Sequence, residues 1–334
     1  MATYKGIQGY SVQSLASDPT AEDTVGQLWY NSASNVWKVS QEGGGAWSSG
    51  NDMTGTADTG GYCGIQTAAL TFGGSPPSGA GGVEGESYDG TSWTETNDVN
   101  SGHYQNAGLG TQTAAVSAGG LPPAPSASCE TWNGTCWTDA NDLTTGRRGF
   151  HGCGTQTAGF VAFGVTTTNV TLCESYDGSS WTELADGLTA RNASANMGTT
   201  TAAIAVSGAT PPGIADDFHN EEWNGTSWTE GNNVNTARIQ HAGAGTSTLA
   251  MIFGGLISPA PPERVGGNTE TWNGTSWTEV GDLGTARRNW AGDASSGTTS
   301  AAMGSGGRHP GAAQIAITEE WNDPVYAIKT VTTS

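Results

Sequence analysis

The ten residues ETWNGTSWTE (Glu270–Glu279) decide how this chain folds. They recur as ESYDGTSWTE (Glu86–Glu95), ETWNGTCWTD (Glu130–Asp139), ESYDGSSWTE (Glu174–Glu183) and EEWNGTSWTE (Glu221–Glu230). A degraded copy, EEWNDPVYAI, spans Glu319–Ile328. Each full copy sets an aromatic residue before Asn-Gly or Asp-Gly and a second aromatic five residues on. Those dipeptides favour the positive φ angles of tight turns, so each copy predicts two short antiparallel strands. Successive copies lie 44 to 49 residues apart. Self-similarity at that period marks a repeat architecture.

Working outward, Gly64, Gly110, Gly154, Gly198 and Gly245 each follow a repeat tryptophan (Trp47, Trp93, Trp137, Trp181, Trp228) by 17 residues. Each opens a run of small residues, as in TAAVSAGG (Thr113–Gly120), and a further strand precedes it. TSAAMGSGG (Thr299–Gly307) is the sixth such run. A unit therefore has four strands, small residues on the first two and Trp or Tyr on the last two. Inner strands crowd an axis and outer strands fill a widening wedge, which is a β-propeller. The tryptophans at 47, 93, 137, 181, 228 and 277 are the expected structural wedges. A solenoid would need polar capping units, and none is visible.

The chain has 334 residues, 52 of them Gly and 13 Trp, only 13% charged, with net charge −20. Glycine and threonine with many short strands suit an all-β protein. The acidity excludes the basic footprint of nucleic-acid binding. No apolar run approaches the roughly 20 residues of a membrane helix, so no membrane insertion is expected. The five cysteines are read as small buried fillers, not as ligands or nucleophiles. The Asn-Gly-Thr sequons at Asn133, Asn224 and Asn273 are read as turns.

Gly-Gly doublets at 73–74, 119–120, 254–255 and 306–307, each followed by Glu with an aromatic and then Trp, resemble the kelch repeat. Gly164-Val165 and Gly208-Ala209 depart from it. The phrases GTQTAA (Gly110–Ala115), TAR (Thr236–Arg238) and NGTSWTE (Asn273–Glu279) resemble kelch-like repeat proteins of tailed, especially marine, phages. GQLWYN (Gly26–Asn31) with VWKV (Val36–Val39) resembles a module at the start of phage tail-fibre and other virion proteins. The resemblance implies a virion structural protein. The first expectation is a tail-fibre or receptor-binding component that meets a host-surface glycan or protein. The second is a capsid decoration or scaffolding protein. It would sit on the particle in multiple copies, attached to other virion proteins through residues 1–45.

The expected architecture is a six-bladed propeller over 46–334, with seven blades as the alternative. Trp47 sits in an outer-strand sequence with no inner pair before it. In the last repeat, Asn322-Asp323-Pro324 replaces the Asn-Gly turn, and proline cannot continue the ladder. The Trp47 strand is therefore expected to complete the sixth blade, and the tail Val325–Val331 to pair elsewhere, with the N-terminal hairpin as a candidate.

Two features are candidate sites. The loops between second and third strands are long and Pro-rich: 73–85, 119–128, 210–220 and 256–268, with Asp216, Asp217 and Arg264 among them. Variable loops on a rigid scaffold are where binding resides. Ten residues after each Trp stand Arg147, Arg191, Arg238 and Arg287, with His103 and Ala57 in the other two repeats. They form either an anion-binding ring, extended by Arg148 and Arg288, or structural pairs with repeat carboxylates such as Glu174, Glu222 or Glu270. No HExxH, GxSxG, Walker or CxxC pattern occurs. The five histidines (103, 151, 219, 241 and 309) are scattered. The expectation is no catalysis, metal or cofactor, with a glycan-active propeller enzyme as the least favoured reading.

Overall fold

The structure is a computed structural model that describes residues 13–75, 81–121, 123–210, 215–216, 218–258, 264–290, 297–311, 314–323 and 325–331. The chain divides into two compact units, 46–322 and 1–45 with 323–334. The propeller expected over 46–334 therefore ends at Asn322.

The larger unit carries six radial sheets. The first runs Gly61–Ile65, Ala68–Phe72, Gly85–Tyr88 and Trp93–Thr96, all antiparallel. The next four repeat this order, beginning at Ala107–Thr111, His151–Thr155, Ala195–Thr199 and Ala242–Gly245. The sixth is formed by Ala301–Ser305, Thr318–Asn322 and, outermost, Ala46–Ser49 from the other end of the unit. Trp47 lies opposite Trp321 there, so the N-terminal strand closes the ring as expected.

Closure is also written in the backbone at the axis. Thr59, Gln105, Gly149, Ala193, Gln240 and Asn289 each stand 12 residues after a repeat Trp. All six adopt left-handed φ angles between 52° and 63°. Gln105 N–H donates to Thr59 O, and the pattern passes through Gly149, Ala193, Gln240 and Asn289 until Thr59 donates to Asn289 O. Six peptides thus form an unbroken hydrogen-bonded circle, which leaves no place for a seventh blade. Around it the inner strands crowd together. A Cβ at Gly108 would overlap the backbone of Tyr62 in the neighbouring blade, so only glycine fits.

The tight turn expected in each full copy is a four-residue loop. Trp132 pairs with Trp137, and the Asn133 side chain accepts the N–H groups of Thr135 and Cys136, both at 2.9 Å. Gly134 takes φ +88°. Asn or Asp here is selected by its side-chain acceptor, the Asx-turn device, and glycine by its positive φ. In the Asp copies these N–H bonds hold the carboxyls of Asp89 and Asp177 below their ordinary range.

Repeated side chains fasten blade to blade. Asn51, Asn97, Asn141 and Asn232 each donate to a carbonyl in the next blade's outer turn, at 2.7–2.8 Å. Gln66, Gln112 and Gln156 reach back to two carbonyls of the preceding blade. Trp93, Trp137, Trp181, Trp228 and Trp277 are buried, and Trp47 is partly so. Trp137 packs on Phe72 and Trp228 on Phe163, both in the preceding blade.

The smaller unit is one sheet. Leu28–Asn31 pairs with Val36–Gly43, with Gln13–Leu15 parallel on one side and Val325–Thr330 antiparallel on the other. The tail thus joins the N-terminal hairpin. Asp18, in a stretch whose Asp18-Pro19 reads from sequence as loop, weakly structured or partner-dependent, organises this unit, accepting from Asn31 at 2.6 Å and Trp29 at 3.2 Å, with Lys38 at 3.7 Å. The Asn31 hydrogen bond leads in holding the Asp18 carboxyl below its ordinary range.

Candidate functional site

The first glutamate of each outer hairpin lies deep between blades. Glu270 accepts the N–H groups of Asn235 at 2.8 Å and Thr236 at 3.1 Å, tying down the connection that leads into its own blade. Glu86, Glu130, Glu174, Glu221 and Glu319 accept from counterpart N–H groups. Four of these carboxylates also hold an arginine. Arg147 pairs with Glu174 at 2.9 Å, Arg191 with Glu221, Arg238 with Glu270 and Arg287 with Glu319 at 3.1 Å. All four arginines are fully buried.

This geometry decides between the two readings of the arginine column in favour of structural pairs and corrects one residue of them. The column is not an exposed anion-binding ring, because its guanidiniums are enclosed and each faces a carboxylate of the chain. Its carboxylate in the fourth blade is Glu221, not Glu222. In a strand neighbouring residues face opposite sides, and Glu221 stands seven residues before Trp228 just as Glu270 does before Trp277. Carbonyls complete the slots of Arg191, Arg238 and Arg287. Arg238 donates to Thr236 O at 3.2 Å, Gly254 O at 3.3 Å and Asn268 O at 2.6 Å. Arg191 donates to the carbonyls of Thr189, Ser207 and His219. Arg287 lies over the Trp290 ring at 4.5 Å, and burial pulls its pKa down to about 10 against the attraction of Glu319. His103, in the arginine position of the second blade, is buried, with Nε2 3.2 Å from the Ser128 hydroxyl.

At the axis, residues of the peptide circle line a cavity of about 70 Å3 together with Arg148, Phe150, His151, Asn192 and Trp290. Arg148 donates to Gln105 at 2.7 Å and Arg288 to Gln240 at 2.9 Å. The two arginines stand three blades apart, on opposite sides of the ring. The sequence hides this circle because it is built from backbone, with side chains as different as Gly149 and Gln240. Asp58 with Arg308 is a second feature that repeat reading misses, since neither belongs to a repeated column.

On the same end of the ring the loops of the fourth and fifth blades carry two-stranded ribbons. Ala209–Thr210 pairs with Ala215–Asp216, and Leu256–Ser258 with Arg264–Val265. Ala209, Ile239 and Leu256 form a buried cluster at their bases, with Val265 packed against it. Arg264 is exposed, Asp216 lies in the returning strand, and Asp217 falls outside the described residues. Leu188 (57%) and Phe218 (45%) are exposed on connections of this end.

Cys63, Cys129, Cys153 and Cys173 are buried, and burial pushes the Cys129, Cys153 and Cys173 thiols up to about 12. Cys136 is exposed, contrary to expectation, because it occupies a serine position in the outer turn. Among the described residues, no three His, Cys, Asp or Glu side chains gather as a metal site would require. No protein-family model matches the chain, and no curated protein sequence does. Solved structures do, in 240 chains. One, described as "Structure of YjhT", aligns with TM-score 0.69 at 11% identity over 84% of this chain and all of its own. At that identity the likeness establishes the β-propeller fold, and a propeller alone carries no particular function.

Proposed function

We propose that this chain is a non-enzymatic recognition propeller of a tailed bacteriophage particle, of kelch-like descent. The ribbon-bearing face meets a host-surface structure such as a glycan, and the small terminal unit attaches the propeller to neighbouring virion proteins. The observation that carries this reading is the contrast between the two ends of the ring. One end has short, nearly identical turns held by the same hydrogen bonds. The other has ribbons that differ in length, charge and Pro content yet rest on a buried apolar base. A rigid scaffold that varies at one end only is built for binding. Single sites can be weak, because many copies on one particle raise the effective concentration. Net charge −20 discourages adhesion to polyanions and leaves the choice of partner to the loops.

The test exchanges the ribbons without touching their roots. His219 O and Asn268 O hold buried arginines, so the replacement is confined to 210–217 and 257–264, each exchanged for a short Gly-Ser turn. The propeller should keep its β-sheet signature and cooperative melting, while particles carrying it adsorb poorly to host cells. Unchanged adsorption would refute the recognition role and favour a decoration protein.

A further inference from the structure

The arginine slot repeats around the ring, and at one junction it is empty. Where Arg147, Arg191, Arg238 and Arg287 stand, the connection into the first blade has Ala57. Its carboxylate is nevertheless in place. Glu86 is buried and accepts Thr54 N–H at 2.8 Å and Gly55 N–H at 3.1 Å, the same two distances that fix Glu270 in the occupied slot. The carbonyl-bearing residues correspond as well. Gly73 is the counterpart of Gly254, Glu84 of Asn268 and Gly55 of Thr236, by their spacing from the repeat glutamate, the glycine doublet and the arginine position.

Ala57, Gly55, Gly73, Glu84 and Glu86 all line a cavity of about 480 Å3. Glu95, cross-strand partner of Glu86, and Asp98 extend its acidic wall. Among the described residues, no lysine or arginine is part of that lining. Arg308, next along this junction, is committed to Asp58. The volume falls within the roughly 300–1,000 Å3 of small-molecule sites. Among the described residues the carboxylates do not converge as metal ligands do. The same chain shows three times, at Arg191, Arg238 and Arg287, that carboxylate and carbonyls in this arrangement bind a planar forked cation.

We propose that the pocket at the junction of the sixth and first blades is a binding site for a guanidinium group supplied from outside the chain. The group enters as the arginines of the sister slots do, with one edge on Glu86 and its remaining N–H groups on carbonyls. This assignment stands apart from the recognition face and does not depend on it.

Ethylguanidinium and the capped tripeptide Gly-Arg-Gly are the probes, titrated into the intact protein by NMR and by thermal shift. Both the wild type and the Ala57→Arg variant are measured, since in the variant the chain fills its own slot. Saturable binding to the wild type is expected, with resonance shifts around Glu86 and a raised Tm. Ala57→Arg should melt higher without ligand and bind neither probe. Ethylammonium, which lacks the planar fork, should bind at least about tenfold more weakly. Tighter binding of the tripeptide than of ethylguanidinium assigns the group to a partner's arginine, and equal binding assigns it to small guanidines. Failure of both probes to saturate the wild type, or equal binding to Ala57→Arg, would overturn the proposal. Should Ala57→Arg not fold, Glu86→Gln takes its place, with binding expected to fall about tenfold as a charge-assisted bond is lost.

Discussion

His241 shows how much one residue of the ring can matter. Its imidazole is fully buried, and burial drives its pKa well below the ordinary 6.5, helped by the charges of Arg238 and His151 and opposed by the backbone of Val206. The folded chain therefore binds fewer protons here than the unfolded chain as pH falls below 6.5. Stability is present above that pH and is lost on acidification, by up to about 1.4 kcal/mol per pH unit for one proton. The same repeat position holds Phe150 in the third blade. His241→Phe should flatten the fall of Tm between pH 6.5 and pH 5, the first of these being the residue's ordinary pKa. Equal pH slopes in the two proteins would contradict this. Trp277 is a second case, a buried indole whose truncation in Trp277→Ala should cost about 3–5 kcal/mol in denaturant unfolding. At this scale the repeat columns were readable as pairs because one residue type recurs at a fixed offset. The pairing of Glu221 was misread as Glu222 because two glutamates are adjacent and only their distance from Trp228 separates them.

Among the elements, the strand Ala46–Ser49 has a role out of proportion to its length. It supplies the outer edge of the sixth sheet, and Trp47 donates to the Thr269 hydroxyl of the fifth blade at 2.9 Å. Deleting residues 1–50 should lower the melting temperature of the propeller and expose the edge Thr318–Asn322 to aggregation. Deleting 1–25 removes the Gln13–Leu15 edge, the Asp18 network and the short turn Glu22–Thr24 of the small unit, and the propeller should melt as before. A chain of residues 51–334 as stable as the full protein would contradict the role of this strand. The sequence made the strand legible, because Trp47 is an outer-strand residue without an inner pair. It hid the ribbons, because 210–217 and 257–264 belong to no repeated pattern. It showed the tight outer turn but not the device that holds it, an Asn or Asp side chain accepting backbone N–H groups.

At the scale of the molecule, the larger unit is a ring whose two ends obey different rules. Six repeated units close through the circle of peptides at Thr59, Gln105, Gly149, Ala193, Gln240 and Asn289, and the last sheet borrows its edge from the start of the unit. That symmetry was readable from spacing alone, since spacing is what a repeat conserves. The departures from symmetry, the ribbons on one end and the vacant arginine slot at Ala57, are where we propose function, and only the folded chain brings their parts together. The most direct measurement is a side-chain-resolution reconstruction of the assembled particle. The account predicts six blades, with the ribbons of the fourth and fifth turned outward to solvent and residues 1–45 against neighbouring virion chains. Ribbons buried against the particle, with the short turns facing out, would contradict it.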